Sequence, residues 1–244
     1  MAFMGRVSRI CARWILFAVV FAIAALAPSA SAAQNDTENQ LWPEANAYVR
    51  IDSSHRLWFL LTGAREPKAA PESIQLGAHY ELGLYPRFRE SARARYDADR
   101  LRFLRLRLGI RRLAPLSGSE GPEEWRGIVE LTPRFTLSRG AILAFRNRAD
   151  LRWIDDHYSW RYRPRLWLER EFVLEPHHAV IPYASAEVFY DSRYNDWVRA
   201  RYQVGVAVVL ATWLSPEVYY ARERNTASSP EYINALGLVW AMFF

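Results

Sequence analysis

The sequence predicts an all-β chain: an antiparallel transmembrane β-barrel of about twelve strands, with ten as the alternative. Three observations predict it. Apolar and polar residues alternate with a period of two through most of the chain. The last stretch, Tyr232 to Phe244, reads as a strand that is greasy on one face and ends on an aromatic residue. The first 33 residues have the pattern of an export signal.

Arg6, Arg9 and Arg13 precede an apolar run from Trp14 to Ala27, followed by the small residues Ser29 to Ala33. A basic segment, a short apolar segment and small residues at the cleavage position make a secretory signal peptide, with cleavage after Ala32 or Ala33. The run is shorter than the roughly 20 apolar residues of a membrane helix. Residues 34–244 then form one barrel domain, expected in a bacterial outer membrane. Removal of residues 1–33 takes three arginines from 32 basic residues and leaves all 26 acids, so the formal charge falls from +6 to +3. An exported chain has little access to nucleic acid, which is excluded as a partner. The single cysteine, Cys11, lies in the signal, so the exported part has no thiol chemistry or disulfide.

Strand follows strand along the rest. Ile74 to Tyr85, Leu104 to Arg111, Ala141 to Trp153, Tyr158 to Glu171, Val180 to Tyr190 and Trp197 to Leu210 alternate clearly. Glu44 to Ile51, Arg56 to Gly63, Glu124 to Phe135 and Pro216 to Glu223 alternate more weakly. With the closing strand, about eleven are legible. An Arg-rich amphipathic helix over Asp99 to Leu113 is the competing reading, but its Leu/Arg alternation fits 180° per residue better than 100°. Single-chain bacterial barrels have an even strand number and both termini on one side. Counting back from Phe244 therefore asks for a short first strand in Gln34 to Trp42, giving twelve, or the loss of Glu44 to Ile51, giving ten. Tight connections at Thr136 to Arg139, Glu175 to His178 and Ala211 to Pro216 alternate with longer ones at Ala64 to Ser73, Ala114 to Pro122 and Asn225 to Pro230. Pro86 to Ala98 is long where a tight turn is expected.

If the apolar parity faces lipid, the polar parity fills the lumen with Arg105, Arg107, Arg126, Arg146, Arg148, Arg161, Arg163, Arg165, Arg199 and Arg201, balanced by Glu130, Glu169, Glu171, Glu187 and Glu217. The planar fork of arginine bridges carboxylates on neighbouring strands. Such a ladder either fastens the interior of a narrow barrel or makes an anion-attracting passage or cavity. On the closing strand Leu236, Leu238, Trp240, Met242 and Phe244 are expected to face lipid.

The stretches Gln40-Leu-Trp-Pro-Glu44, Phe103 to Gly109, Arg146-Asn-Arg148, Trp160-Arg-Tyr-Arg-Pro-Arg165, Glu187-Val-Phe-Tyr-Asp191 and Ala235-Leu-Gly-Leu238, in this order, resemble a family of uncharacterised Gram-negative outer-membrane proteins grouped as a domain of unknown function. The resemblance covers most of residues 40–244. It implies an outer-membrane barrel and carries no reaction with it.

Catalysis would need a nucleophile, a base and an acid in hydrogen-bond reach. Ser185, Glu187 and His79 share the inward parity, but their strands stand third and eighth in the order, and the expectation leans away from an enzyme. His177 and His178 are adjacent and project to opposite sides, so no metal site is read, and no cofactor is implied. The expected partners are outer-membrane lipid, the barrel-assembly machinery through the C-terminal strand, and a small anionic solute. The specific function expected is a narrow porin-like or ligand-holding barrel. A lipid-active enzyme and a closed structural barrel are the alternatives.

Overall fold

A computed structural model describes residues 37–64, 73–86, 102–115, 123–175 and 178–244. The expected signal segment and residues 87–98 of the Pro86 to Ala98 connection lie outside the described residues, as do His177 and residues 65–72 and 116–122 of the longer connections.

Thirteen strands, β1 (Thr37–Arg50), β2 (His55–Ala64), β3 (Ser73–Pro86), β4 (Arg102–Pro115), β5 (Glu124–Thr136), β6 (Ala141–Ile154), β7 (His157–Tyr162), β8 (Arg165–Arg170), β9 (Phe172–Glu175), β10 (His178–Asp191), β11 (Asp196–Val209), β12 (Leu214–Asn225) and β13 (Tyr232–Phe243), form one closed sheet. Strands β7, β8 and β9 are successive pieces of one strand path. β7 and β8 both pair with β6 on one side and β10 on the other, and β9 continues along β10. The ring therefore has eleven positions. The path breaks at Pro164, which lacks an amide donor, and the gap is stitched by Arg163 N to Arg148 O at 2.8 Å and Val188 N to Pro164 O at 3.2 Å.

Every neighbouring pair is antiparallel except the one that closes the ring. β1 pairs with β13 in parallel, from Thr37 opposite Tyr232 to Tyr48 opposite Phe243. The all-β barrel is as the sequence predicts, and eleven positions fall close to the expected twelve. Closure differs from the expectation: an odd ring of alternating strands must contain one parallel seam. Gln34 to Trp42 and Glu44 to Ile51 are not two alternative strands, because Thr37–Arg50 runs continuously through both. Thr37 and Phe244 thus stand at opposite rims. Asp99 to Leu113, the helix candidate, is strand β4 from Arg102 onward. Tight turns occur at both rims. Asp155 and Asp156 make a two-residue turn with φ of 46° and 67° at the Thr37 rim, the left-handed pair that suits a hairpin between twisted strands.

Polarity is inverted relative to a water-soluble protein. The wholly buried side chains include Glu81, Glu130, Asp150, Asp191 and Glu223, while Leu76, Leu108, Ile110, Trp125, Val129, Trp153, Tyr158 and Leu166 are exposed on the outer face. Charged residues are rarely fully buried unless paired, and here they are the interior. On β13, Leu236, Leu238 and Trp240 are exposed, as is Phe244 just past its end, Met242 is half-buried, and Ala235, Val239 and Ala241 point inward and are buried.

Candidate functional site: the arginine-lined lumen

Alternation places one residue in two inside the ring, and the interior residues join across strands. Glu81 on β3 receives Arg107 Nε at 2.6 Å and also binds Arg56. Arg107 Nη1 continues to Glu130 on β5 at 2.8 Å, and Arg105 reaches the same carboxylate at 3.6 Å. Arg146 on β6 lies 3.9 Å from Glu130 and donates to Glu187 on β10 at 2.5 Å. Arg163 bridges Glu187 at 2.9 Å and Asp150 at 3.3 Å, and Arg148 binds Asp150 at 2.5 Å. Arg201 on β11 passes from Glu187, at 3.9 Å, to Glu223 on β12, which Arg199 also approaches at 3.2 Å. One connected network therefore runs from β2 round to β12. A second cluster near the Thr37 rim joins Arg152 to Glu124 at 2.5 Å and to Asp191 at 2.9 Å, with Arg126 on Glu124 and Arg161 on Asp191.

Of the lumen residues expected from the sequence, Arg107, Arg126, Glu130, Arg148, Arg163 and Glu187 are buried in the interior. Arg105, Arg146, Arg161, Arg165, Glu169, Glu171, Arg199, Arg201 and Glu217 are half-buried. Glu171 stands in the one-residue gap between β8 and β9. The sequence reading missed Arg56, Glu81, Glu124, Asp150, Arg152, Asp191 and Glu223 as members of these clusters. Strand parity alone would have found Glu81 and Arg152, which share a face with His79 and Arg148.

The network leaves a cavity of about 340 Å³, at the lower end of the roughly 300–1,000 Å³ usual for ligand pockets. Ten arginines line it, Arg105, Arg107, Arg146, Arg163, Arg165 and Arg201 among them, against the glutamates Glu44, Glu169 and Glu217. Most lining arginines are tied to the carboxylates behind the wall. Two are not. Arg165 donates to Ser185 Oγ at 2.9 Å and Gln203 Oε1 at 2.7 Å. Arg111 donates to His79 Nε2 at 3.0 Å and Gln75 Oε1 at 2.9 Å. Both guanidinium groups thus donate to neutral partners. None of Glu124, Arg152 or Asp191 lines the cavity, so that ion-paired cluster lies between it and the Thr37 rim.

Aromatic side chains shape the walls. Trp167 stacks on Tyr183 at 3.9 Å between ring centres, and Arg165 lies 4.5 Å over Trp167. The Tyr183 hydroxyl donates to Glu217 and accepts from Gln203 Nε2 at 2.9 Å. Opposite, Trp58 stacks on His79 at 4.3 Å, and Arg107 lies 4.2 Å from the Trp58 ring centre. Two glycines make room: a Cβ on Gly237 would overlap the Tyr219 ring, and one on Gly109 the His79 ring.

His79 and Ser185 each have their own arginine, and no hydrogen bond joins them or links either to Glu187. The nucleophile, base and acid considered from the sequence are therefore not assembled. Among the described residues no group of three or more His, Cys, Asp or Glu side chains is arranged to hold a metal ion. Comparison with models of known protein families finds no match, and comparison with curated proteins finds none either.

Proposed function

We propose that this chain is a bacterial outer-membrane barrel that holds a small anionic solute in its lumen. Supporting the membrane reading is the inversion of polarity. Exposed Leu, Ile, Trp and Phe on the outer face would be costly in water and suit lipid. Trp125 opposite Trp153, Trp153 against Tyr158, Trp160 against Tyr190, and Tyr190 against Trp197 near the Thr37 rim give the aromatic girdle expected at a membrane interface. The resemblance to the Gram-negative outer-membrane family agrees with this, and β13 with its terminal Phe244 would be the strand offered to the barrel-assembly machinery.

The observation that carries the anion reading is the pair Arg165 and Arg111, two lining cations hydrogen-bonded only to neutral groups. Arginine offers a planar fork to carboxylate or phosphate. Holding is favoured over free passage because the ion-paired cluster of Glu124, Arg152 and Asp191 lies in the interior between the cavity and the Thr37 rim. Titration of the folded, detergent-extracted protein with sodium phosphate tests the reading. Saturable binding that weakens at least tenfold in Arg165→Gln, with no binding of choline, is expected. No phosphate binding, or equal binding of choline, would overturn it.

A further inference from the structure

The cavity wall is not uniform. Toward the Phe244 rim, β6, β10, β11 and β13 present Ile142, Ala144, Ile181, Ala207, Val239 and Ala241 to it, with Glu217, which takes the Tyr183 hydroxyl, between Ala207 and Val239 and with Glu44 opposite Val239. Ile181 and Ala207 belong to a buried apolar cluster with Ala179 and Val209. Val239 packs in another with Tyr183, Tyr219 and Ala235, against which Trp42 and Trp167 lie. A lumen that only holds water and ions is polar throughout. Here small alanines leave space beside apolar neighbours, where larger side chains would have closed the wall. Deeper in, the lining turns to Arg146, Arg148, Arg163, Arg165 and Arg201.

We propose that the solute is an anionic amphiphile: a single acyl chain with a carboxylate or phosphate head. The head would sit at Arg165 beside Arg201, and the chain would lie along Ile181, Ala207, Val239 and Ala241 toward the Phe244 rim. At about 340 Å³ the cavity encloses the head and first carbons, and a longer chain continues past the rim. Trp167, stacked on Tyr183 and lying under Arg165, stands at the junction of the two surfaces. The inference rests on the anion-holding reading above and adds the apolar chain.

Calorimetric titration of the full exported chain in amphipol, blanked against empty amphipol, tests it with octanoate, octyl phosphate, acetate, inorganic phosphate and octyltrimethylammonium. Octanoate or octyl phosphate is expected to bind at least tenfold more tightly than its chainless counterpart, and whichever binds more tightly identifies the head. Ala207→Leu, which fills the apolar wall, is expected to remove that advantage and leave inorganic phosphate unchanged. Arg165→Gln is expected to weaken both eight-carbon anions at least tenfold. Chained and chainless anions binding alike would overturn the amphiphile and leave the anion site standing. Octyltrimethylammonium binding as tightly as octanoate would overturn the arginine-held head. No binding of any anion would remove both readings. Unboiled gel mobility of each variant shows whether it folds, and Ile181→Phe repeats the chain test at a second wall position if Ala207→Leu does not.

Discussion

Arg163 donates to Glu187 at 2.9 Å from the break in the strand path between β7 and β8, the residue before Pro164. The same guanidinium reaches Asp150 on the other neighbouring strand. The break that costs the sheet a backbone donor is therefore spanned by a side chain that ties β6 to β10. Glu187 in turn collects Arg146 and Arg201, so four strand paths meet at one carboxylate.

Loss of that carboxylate leaves three arginines in mutual repulsion. Breaking a buried ion pair by removing one partner costs roughly 3–5 kcal/mol. Glu187→Gln is expected to lower the urea midpoint of the folded barrel by a corresponding amount, and Glu187→Asp by less. Unfolding followed by tryptophan fluorescence measures it. An unchanged midpoint would show that the interior network does not fasten the barrel.

Gly237 and Tyr219 share one volume. Gly237→Ala places a methyl group inside the Tyr219 ring, and overpacking of this kind costs about 1–3 kcal/mol. The double variant Gly237→Ala with Tyr219→Ala is expected to recover part of the loss, because the clash is gone. Strict additivity of the two single effects in a thermodynamic cycle would contradict the contact.

The parallel seam is open to a crosslinking test. Ala47 pairs with Met242, so cysteines at these positions should join through a short bifunctional thiol reagent. Cysteines at Glu38 and Met242, near opposite ends of the seam, should not. The reverse pattern would mean that β1 runs the other way.

The β1–β2 turn carries a pH dependence. Amides of Ser54 and His55 donate to Asp52 at 2.7 and 2.9 Å, and the His55 ring lies 2.7 Å from it. The Ser54 amide first, and then His55, hold the Asp52 carboxyl below its ordinary value. A depressed folded pKa means that the stabilisation is present above the unfolded pKa and is lost as pH falls through the folded one. Exchange of the Ser54 and His55 amides, followed by NMR and corrected for intrinsic rate, should therefore show less protection in acid. Asp52→Asn should flatten that dependence.

Much of the fold is legible because a barrel with two chemically different sides writes a period of two into every strand. Leu104 to Arg111 could be placed from alternation alone, and so could the inward set from Arg105 to Glu217. The closure was not legible. Pairing of β1 with β13 joins residues 195 apart, as in the 3.3 Å contact of Asn234 with Asn39, and no local pattern encodes the direction of such a seam. An even-number rule drawn from other barrels pointed elsewhere. The site was half legible. Parity identifies which arginines face inward, but pairing depends on depth along tilted strands. Thus Arg165 and Arg163, two residues apart on one face, could not be told apart, although one meets neutral groups and the other two carboxylates.

The inside-out arrangement underlies every part of the account, and one measurement tests it most directly. The only natural cysteine is Cys11, so single cysteines introduced along β13 into a chain of residues 34–244 can carry a fluorophore without competition. In vesicles containing lipids spin-labelled on their acyl chains, label at Leu236, Leu238 or Trp240 is expected to be strongly quenched. Label at Ala235, Val239 or Ala241 is expected to be spared. Equal quenching on the two parities, or quenching of the outer set only by a water-soluble agent, would contradict it.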